Sequence, residues 1–271
     1  MEALKISQAK IRENQSLKNG CQTTNEILIC DKHGEFQKYR TFITGKLIEQ
    51  SCPSCGEEAN AERERQSEAR ARSIQLETYR RKANIPKRFA GLDINNINLN
   101  YHKKPEDNKK LQSTVKIVKG YLKTYPERLK KGASGFFCGE CGTGKTMLAC
   151  MMVENIINQL YSAQYITAWQ MIQEIRKGYG KYEESISDYI KEFINKSFLV
   201  IDEVGVQHGT DDERILLYQV IDGRYNEVKP TIIISNSKDP VADGYLDLRT
   251  IDRLKEGGGF SITFDGESYR K

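Results

Sequence analysis

Apolar and polar positions alternate in blocks along the second two thirds of the chain. Short continuous apolar runs occur at residues 135–138, 198–201 and 231–234, and such runs are typical of strands buried on both faces of a parallel sheet. After the first run, apolar residues recur at helical spacing over residues 147–161, which predicts a helix with a buried face. The alternation predicts an α/β fold from residue 85 onward, with a parallel sheet flanked by helices.

The first 84 residues have a different pattern. Residues 1–20 are polar apart from a few apolar positions and predict a short helix. Residues 57–82 are rich in Glu, Arg and Ala and contain no Pro or Gly, which favours a solvated helical linker. The predicted parts are an N-terminal domain at 1–56, a charged linker at 57–84 and a core domain at 85–271.

Composition excludes several classes of protein. The chain has 271 residues, 29% of them charged, and a mean hydropathy of -0.63. Its apolar runs are far shorter than the roughly 18 residues of a membrane span, and Lys5, Lys10 and Arg12 interrupt its start. We therefore expect neither a membrane protein nor a secretory leader. The seven cysteines, an odd number, favour reduced thiols or metal ligands over disulfides, and hence a cytoplasmic protein.

The most specific motif is a glycine-rich loop that follows the first apolar run. Residues 139–146 read GECGTGKT, a full G-x-x-x-x-G-K-[ST] between a predicted strand and a predicted helix. Glycines let backbone N–H groups surround phosphate oxygens at a helix start, the lysine reaches the β- and γ-phosphates, and the threonine hydroxyl holds Mg²⁺. The residues expected to bind ATP here are Gly139, Glu140, Cys141, Gly142, Thr143, Gly144, Lys145 and Thr146.

Polar residues end the other two apolar runs. Asp202 and Glu203 follow the second run, and Asn236 follows the third after Ser235. Because ligands bind at the carboxyl ends of parallel strands in open α/β sheets, we expect these side chains beside the phosphates. Asp202 would hold Mg²⁺, Glu203 would polarise the attacking water, and Asn236 would hold that water or the γ-phosphate. Taken singly, such residues are also common in solvated loops and turns.

Two close pairs of metal-ligand residues lie in the N-terminal part. Cys30 and His33 form one pair, and Cys52 and Cys55 form the other, each with two residues between its members. Three thiolates and one imidazole suit tetrahedral Zn²⁺. The segment is too short for a hydrophobic core of its own, so we expect a structural zinc ion that is required for folding. Free cysteines in a loop are the alternative, and Cys21 is a weaker candidate ligand.

Together these motifs resemble the AAA+ ATPases, and within them the DnaC/IstB group of helicase loaders and transposition helpers. The resemblance covers roughly residues 85–271 and includes the tail at 248–253 and 268–270. The sequence IPKRF at residues 85–89 resembles a stretch that precedes the ATPase core in DnaC-like proteins. The Cys and His pairs are similar to those found ahead of the ATPase in phage and prophage DnaC-like helicase loaders.

The resemblance implies an ATPase that assembles with copies of itself, each ATP site being completed by a neighbour. The implied roles are a place beside the adenine for Phe89, sensor 1 for Asn236, the arginine finger in trans for Arg253 and sensor 2 for Arg270. A guanidinium can stabilise charge on the transferring phosphoryl group, although each arginine could instead form a surface ion pair. Arg249 and Arg224 are weaker finger candidates. Since the sequence ends at Lys271, we expect no separate C-terminal lid domain.

The resemblance also implies a function. It points to an ATP-dependent loader that delivers or activates a DnaB-type replicative helicase on single-stranded DNA during replication. Residues 1–82 are then expected to contact the helicase. One alternative is an IstB-like transposition helper that binds duplex DNA, and another is a nucleotide-sensing adaptor with little turnover.

Two features are candidates for contact with DNA. Residues 103–131 contain ten Lys or Arg and three Asp or Glu, and four lysines share one face of a predicted helix. These lysines are Lys109, Lys116, Lys119 and Lys123. They favour phosphate contacts that salt weakens, or they simply keep a surface helix soluble. Tyr179, Tyr182 and Tyr189 could stack on unpaired bases or pack a subunit interface.

Overall fold

The computed structural model describes residues 26–38, 41–43, 46–48, 52–179, 185–205, 210–237, 239 and 241–269. The chain divides into two compact units, with the boundary between Ser73 and Ile74. The helix predicted at residues 1–20 lies outside the described residues, as do Tyr182 and Arg270.

The N-terminal unit consists of two antiparallel hairpins and the first part of a long helix. Its elements are β1 (Glu26–Cys30), β2 (Gly34–Lys38), β3 (Thr41–Ile43), β4 (Lys46–Ile48) and α1 (Pro53–Lys82), which continues into the second unit. Cys30 pairs with Gly34 across the first turn. The φ of Gly34 is 75°, a value that residues with a Cβ rarely adopt. This tight turn holds Cys30 and His33 at the same end of the hairpin.

A single helix occupies the charged segment between the two parts. α1 has 30 residues, none of them buried, as expected for a solvated helix with mixed charges. It begins at Pro53, so Cys55 lies in its first turn. Among the helices that the structure describes, none has the length and apolar character needed to cross a bilayer.

The second unit alternates strands and helices, as the apolar pattern predicts. Two short 3₁₀ turns, Lys87–Phe89 and Ile94–Asn96, come before its first helix. The following elements are α2 (Pro105–Lys123), α3 (Tyr125–Lys130), β5 (Gly135–Gly139), α4 (Lys145–Asn158), β6 (Ala163–Thr167), α5 (Ala168–Arg176), α6 (Ile186–Ile194), β7 (Phe198–Asp202), α7 (Asp211–Asn226), β8 (Thr231–Ile234), α8 (Leu248–Lys255) and β9 (Phe260–Phe264). The three predicted strands are β5, β7 and β8, whereas the apolar runs did not single out β6 and β9.

The five strands of this unit form one parallel sheet in the order β6-β7-β8-β5-β9. Successive residues of β7 point to opposite faces: Phe198 and Val200 pack in the core with α2 and α4, and Leu199 and Ile201 in the core with α5 and α7. The predicted parallel α/β fold is confirmed. Because β8 lies between β7 and β5, the carboxyl ends of these three strands are neighbours.

The amphipathic helix predicted before the glycine-rich loop forms as α2. The buried residues of its inner face include Val115, Val118, Tyr121 and Leu122. Lys109, Lys116 and Lys123 are exposed, whereas Lys119 is half-buried. The lysine stripe therefore faces solvent over most of its length.

The two described tyrosines of the proposed stacking set differ in exposure. Tyr179 is exposed, and its hydroxyl donates to Asp212 at 3.0 Å. Tyr189 is partly buried against the core on the α5 and α7 side of the sheet. Of these two residues, only Tyr179 has a ring that is exposed enough to stack on a base.

Arg224 is a buried structural residue. Its side chain is fully buried, and burial lowers its pKa to about 9. It donates to the Thr231 hydroxyl at 2.9 Å. The backbone carbonyls that also accept from it are those of Phe193, Ile194, Lys196 and Pro230. Since these bonds tie α7 to the end of α6 and the start of β8, Arg224 cannot act as a finger toward a neighbouring subunit.

Candidate nucleotide site and metal centre

The glycine-rich loop joins β5 to α4 at the carboxyl edge of the sheet. Gly139, Gly142 and Gly144 have φ values of 122°, 83° and 92°, which residues with a Cβ rarely adopt. A Cβ on Gly139 would lie 2.1 Å from the carbonyl oxygen of Phe264 in β9, so this position requires glycine. The loop leads directly into the N-terminus of α4, where free backbone N–H groups and the helix dipole attract phosphate.

Lys145 is buried at the first position of α4 and folds back over the loop. Its Nζ donates to the carbonyls of Gly139 and Glu140 at 2.7 and 2.6 Å. The Thr143 hydroxyl donates to the same Glu140 carbonyl at 2.7 Å. The ammonium charge is therefore held inside the loop by backbone carbonyls, which phosphate oxygens can replace as stronger, charged acceptors.

Thr146 of α4 and the buried Asp202 of β7 meet next to the loop. The Thr146 hydroxyl donates to Oδ2 of Asp202 at 2.7 Å. The hydroxyl of Tyr165, in β6, donates to the same oxygen at 2.9 Å. Burial, together with the neighbouring Asp202 carboxylate, raises the pKa of Tyr165, so its hydroxyl stays protonated and continues to donate. A threonine hydroxyl and a carboxylate within bonding distance are oxygen ligands that Mg²⁺ prefers, so this pair fits a magnesium ion.

Glu203 follows β7 in an unusual backbone conformation. Its φ is 58°, which is uncommon for a residue other than glycine and is concentrated at functional sites. Its N–H donates to Oδ1 of Asp202 at 2.7 Å, while its side chain is exposed. The backbone turn thus places the two successive acids in different surroundings, Asp202 buried against the threonine and Glu203 open to the cavity.

One cavity of about 330 Å³ collects the predicted nucleotide residues. Its lining residues are Arg88, Phe89, Cys141, Gly142, Thr143, Gly144, Lys145, Thr146, Met147, Asp202, Glu203, Asn236 and Tyr269. The loop, both acids, the asparagine and the phenylalanine, which are far apart in the sequence, therefore border the same space.

Tyr269 and Tyr165 belong to this site although the sequence motifs do not reveal their contacts. The Tyr269 N–H donates to the Gly142 carbonyl at 2.8 Å. A Cβ on Gly144 would lie 3.1 Å from the Tyr269 ring. Tyr165 lies in β6, next to β7, and Tyr269 lies in the tail after β9. Because only the tertiary fold brings them to the site, no local sequence pattern predicts their contacts.

Arg253 lies on α8, outside the nucleotide cavity. It forms an ion pair with Asp222 of α7 and donates to the Tyr218 hydroxyl at 2.9 Å. Its guanidinium lies 5.1 Å from the centroid of the Tyr225 ring, and it lines a separate cavity of about 360 Å³. A role for Arg253 at an ATP site therefore requires the site of another subunit. Arg270 lies outside the described residues.

The four predicted zinc ligands converge in the N-terminal unit. Nδ1 of His33 lies 3.7, 3.6 and 3.3 Å from the sulfurs of Cys30, Cys52 and Cys55, and the sulfurs of Cys30 and Cys55 are 3.5 Å apart. A tetrahedral zinc ion with bonds of about 2.0–2.3 Å separates its ligands by roughly 3.5 Å. The cluster, which brings all four ligand atoms within 4.8 Å of one another, is compatible with zinc.

Glu58 orients the histidine of this cluster. Its Oε1 accepts from Nε2 of His33 at 3.0 Å, and its other oxygen pairs with Lys32. A proton held on Nε2 leaves Nδ1 as the basic nitrogen that faces the thiols, as metal-binding histidines require. Backbone hydrogen bonds from Lys32 and His33 lower the pKa of Cys30 to about 6, which favours its thiolate, whereas the hydrogen bond with Cys30 raises the pKa of Cys55 to about 11.

Comparison with known sequences agrees with this arrangement. The model of the family described as "IstB-like ATP binding protein" matches residues 130–271. The replicative helicase loader DnaC of Escherichia coli (strain K12) is 29% identical over 138 residues, which are 51% of this chain and 56% of that protein. DnaC of Buchnera aphidicola subsp. Baizongia pistaciae is 29% identical over 173 residues, covering 64% of this chain and 68% of that protein. The chain thus spans little more than half the length of the Escherichia coli relative.

Solved structures share the fold over about two thirds of this chain. The crystal structure of the DnaC helicase loader matches with a TM-score of 0.54 and 21% identity, over 66% of this chain and all of that chain. The crystal structure of DnaI matches with a TM-score of 0.53 and 16% identity, over 69% of this chain and 95% of that chain. The family match includes more than half of the residues and contains the loop, both acids and the tail. The chain therefore belongs to the family of IstB-like ATP-binding proteins, in the IstB/DnaC group of AAA+ domains.

Proposed function

We propose that this protein is an ATPase that loads a DnaB-type replicative helicase onto single-stranded DNA. The observation that supports the ATPase part is the shared cavity, in which Lys145 and the acids Asp202 and Glu203 meet at the carboxyl edge of one parallel sheet. The loading part is supported by the similarity to DnaC helicase loaders.

In this mechanism the loop amides and Lys145 bind the β- and γ-phosphates, and Lys145 exchanges its carbonyl partners for phosphate oxygens. Thr146 and Asp202 hold Mg²⁺, which when bound neutralises charge on the phosphates. Glu203, open to the cavity, accepts a proton from the attacking water. Asn236 holds that water or the γ-phosphate.

The adenine and the neighbouring subunit complete the site. Phe89 lines the cavity, where its ring can pack against the base. Arg253 of one subunit would enter the site of the next, where it stabilises charge on the transferring phosphoryl group, and Arg270 would do so within its own chain. Hydrolysis would then depend on self-association.

The N-terminal unit is proposed as the part that holds the helicase, with zinc at Cys30, His33, Cys52 and Cys55. The exposed lysines of α2 supply sequence-independent contacts to DNA phosphates. A cytoplasmic location is in keeping with these partners.

The loading proposal is tested with the full chain, the DnaB-type helicase of its host and a forked DNA substrate whose single-stranded region is covered by binding protein. We expect the chain to coelute with the helicase and to start unwinding only when ATP is present. Failure to bind the helicase combined with strong ATP-dependent binding to duplex DNA would instead favour an IstB-like transposition helper. Unwinding that is unchanged by Glu203→Gln would favour an adaptor that does not need hydrolysis.

The zinc proposal predicts a selective loss in Cys52→Ser. Cys52 is buried in the cluster, and a structural zinc site supplies much of the folding free energy of such a small segment. We expect Cys52→Ser to lose one zinc per chain and the helicase interaction, while its ATP affinity stays within about 3-fold of wild type. Elemental analysis and nucleotide titration measure these quantities. Cys141→Ser, at an exposed cysteine outside the cluster, is the control for zinc content, and full zinc content in Cys52→Ser would refute the ligand assignment.

A further inference from the structure

A second group of metal-ligand side chains lies in the second unit, apart from the cysteine cluster. A nitrogen of His102, a carboxylate oxygen of Asp107 and one of Glu267 all lie within 4.8 Å of one another. Asp107 lies in the first turn of α2 and His102 lies three residues before that helix, whereas Glu267 comes from the tail after β9. No sequence motif contains these three residues together, because His102 and Glu267 are 165 positions apart.

Asp107 is the unusual member of this group. It is 9% exposed, and its carboxylate makes no hydrogen bond or ion pair with any residue that the structure describes. A carboxylate buried without a donor is costly, and a second carboxylate close by adds repulsion. Lys110 interacts electrostatically with Asp107, but its ammonium group is bonded to Asp265 at 2.8 Å. The helix N-terminus offers Asp107 a partial positive charge, and among the described residues no cation is bonded directly to this carboxylate.

His102 is already oriented by its neighbours. Its Nε2 lies 3.0 Å from the Tyr269 hydroxyl, and its backbone N–H donates to the side chain of Asn108 at 2.8 Å. The ring of Tyr101 stacks on Tyr269 at a centroid distance of 4.7 Å. Such outer contacts fix the ring plane of a metal-binding histidine and reduce the entropy lost on binding.

Glu267 is the adaptable member of the group. Its side chain is 43% exposed and its only described partner is Lys104 at 3.4 Å. An exposed ion pair of this kind contributes at most about 1 kcal/mol, so it does not prevent the carboxylate from turning toward a cation.

We propose that His102, Asp107 and Glu267 bind a divalent transition-metal ion, with Zn²⁺ as the ion of highest expected affinity among those abundant in cells. One imidazole and two carboxylates are a common ligand set for Zn²⁺ and related ions, and they leave one position for water. The ion supplies a positive charge bonded directly to the Asp107 carboxylate. It also links the start of α2 to the tail, two residues before Tyr269, whose N–H donates to the Gly142 carbonyl of the phosphate loop. A bound ion would therefore hold the tail against the nucleotide cavity. The metal site itself does not depend on the proposed ATPase or loading activity.

The test is a zinc titration of the full chain, followed by calorimetry and elemental analysis in the absence of nucleotide. Wild type is expected to bind two zinc ions per chain, one at the cysteine cluster and one here. Asp107→Asn keeps the size of the side chain and is expected to weaken the second zinc by at least about 10-fold. Glu106→Gln changes the adjacent, exposed carboxylate and should leave both zinc ions in place.

Cobalt substitution distinguishes the two sites. In Cys52→Ser we expect the remaining Co²⁺ to lack the strong absorption of thiolate ligands, because only nitrogen and oxygen bind it. If Asp107→Asn fails to fold, Glu267→Gln at the exposed ligand gives the same comparison. A Cys52→Ser chain that binds no zinc ion overturns the proposal, and so does a zinc ion of unchanged affinity at this site in both Glu267→Gln and His102→Ala. Either result leaves the nucleotide site unaffected.

Discussion

Replacing Lys145 by alanine is expected to weaken nucleotide binding at least about 100-fold. The ammonium group is buried inside the phosphate loop, where it can form charge-assisted bonds with the β- and γ-phosphates. Each such bond is worth roughly 1.5–3 kcal/mol, and two of them easily exceed the roughly 2.7 kcal/mol that corresponds to 100-fold. Fluorescence titration with a nonhydrolysable ATP analogue measures the loss.

The matched control for this prediction is Lys116→Ala. It removes the same charge from an exposed position on α2, and its nucleotide affinity should equal that of wild type. Zinc content should be normal in both variants because the cysteine cluster lies in the other unit. Wild-type affinity in Lys145→Ala would contradict the assignment of the loop as a nucleotide site.

Arg253→Ala is expected to bind ATP normally but to hydrolyse it about 10³-fold more slowly, the lower end of the range for an arginine finger. In the structure the Arg253 guanidinium lies outside the nucleotide cavity of its own chain. It pairs with Asp222 instead. Loss of hydrolysis without loss of binding would therefore come from an arginine that acts in the site of a neighbour. Steady-state phosphate release, compared with nucleotide affinity, separates the two effects.

Two further variants decide whether Arg253 acts through chemistry or through packing. Asp222→Asn breaks the same ion pair but keeps the arginine, so it should retain hydrolysis if the arginine acts in trans. Arg249→Ala removes an exposed arginine from the same helix and should change little. Mixing Arg253→Ala with Lys145→Ala should restore part of the activity, since one chain supplies the ATP site and the other supplies the finger. Equal losses in Asp222→Asn and Arg253→Ala would assign the residue to packing alone.

The shared cavity of the proposed nucleotide residues could be expected because most of these residues are close together in the sequence. The loop is one contiguous stretch, and its glycines are required by positive φ angles and by the close approach of β9. The acids could be predicted through one general rule, that ligands bind at the carboxyl ends of parallel strands. The convergence of the four residues proposed to bind zinc likewise follows from two close pairs with short spacing. In each case the chemistry and the backbone conformation belong to neighbouring residues.

Other contacts could not be predicted because they join distant segments. The hydroxyl of Tyr165 reaches Asp202 only because β6 lies next to β7. Arg224 looks like any charged helical residue, yet the packing of α6 and α7 encloses it completely. Nothing near Asp107 in the chain shows that it is buried beside a carboxylate from the tail.

The sequence alone thus determined the fold class, the phosphate loop with its lysine, the acids beside it and the cysteine and histidine pairs, because short-range spacing specifies backbone shape and ligand type. Only the tertiary structure decided which other side chains contact the loop and the acids. The order of strands in the sheet and the return of the tail over the loop depend on long-range packing, which no local pattern encodes. For that reason Tyr165, Tyr269 and the group around Asp107 became visible only in the folded chain.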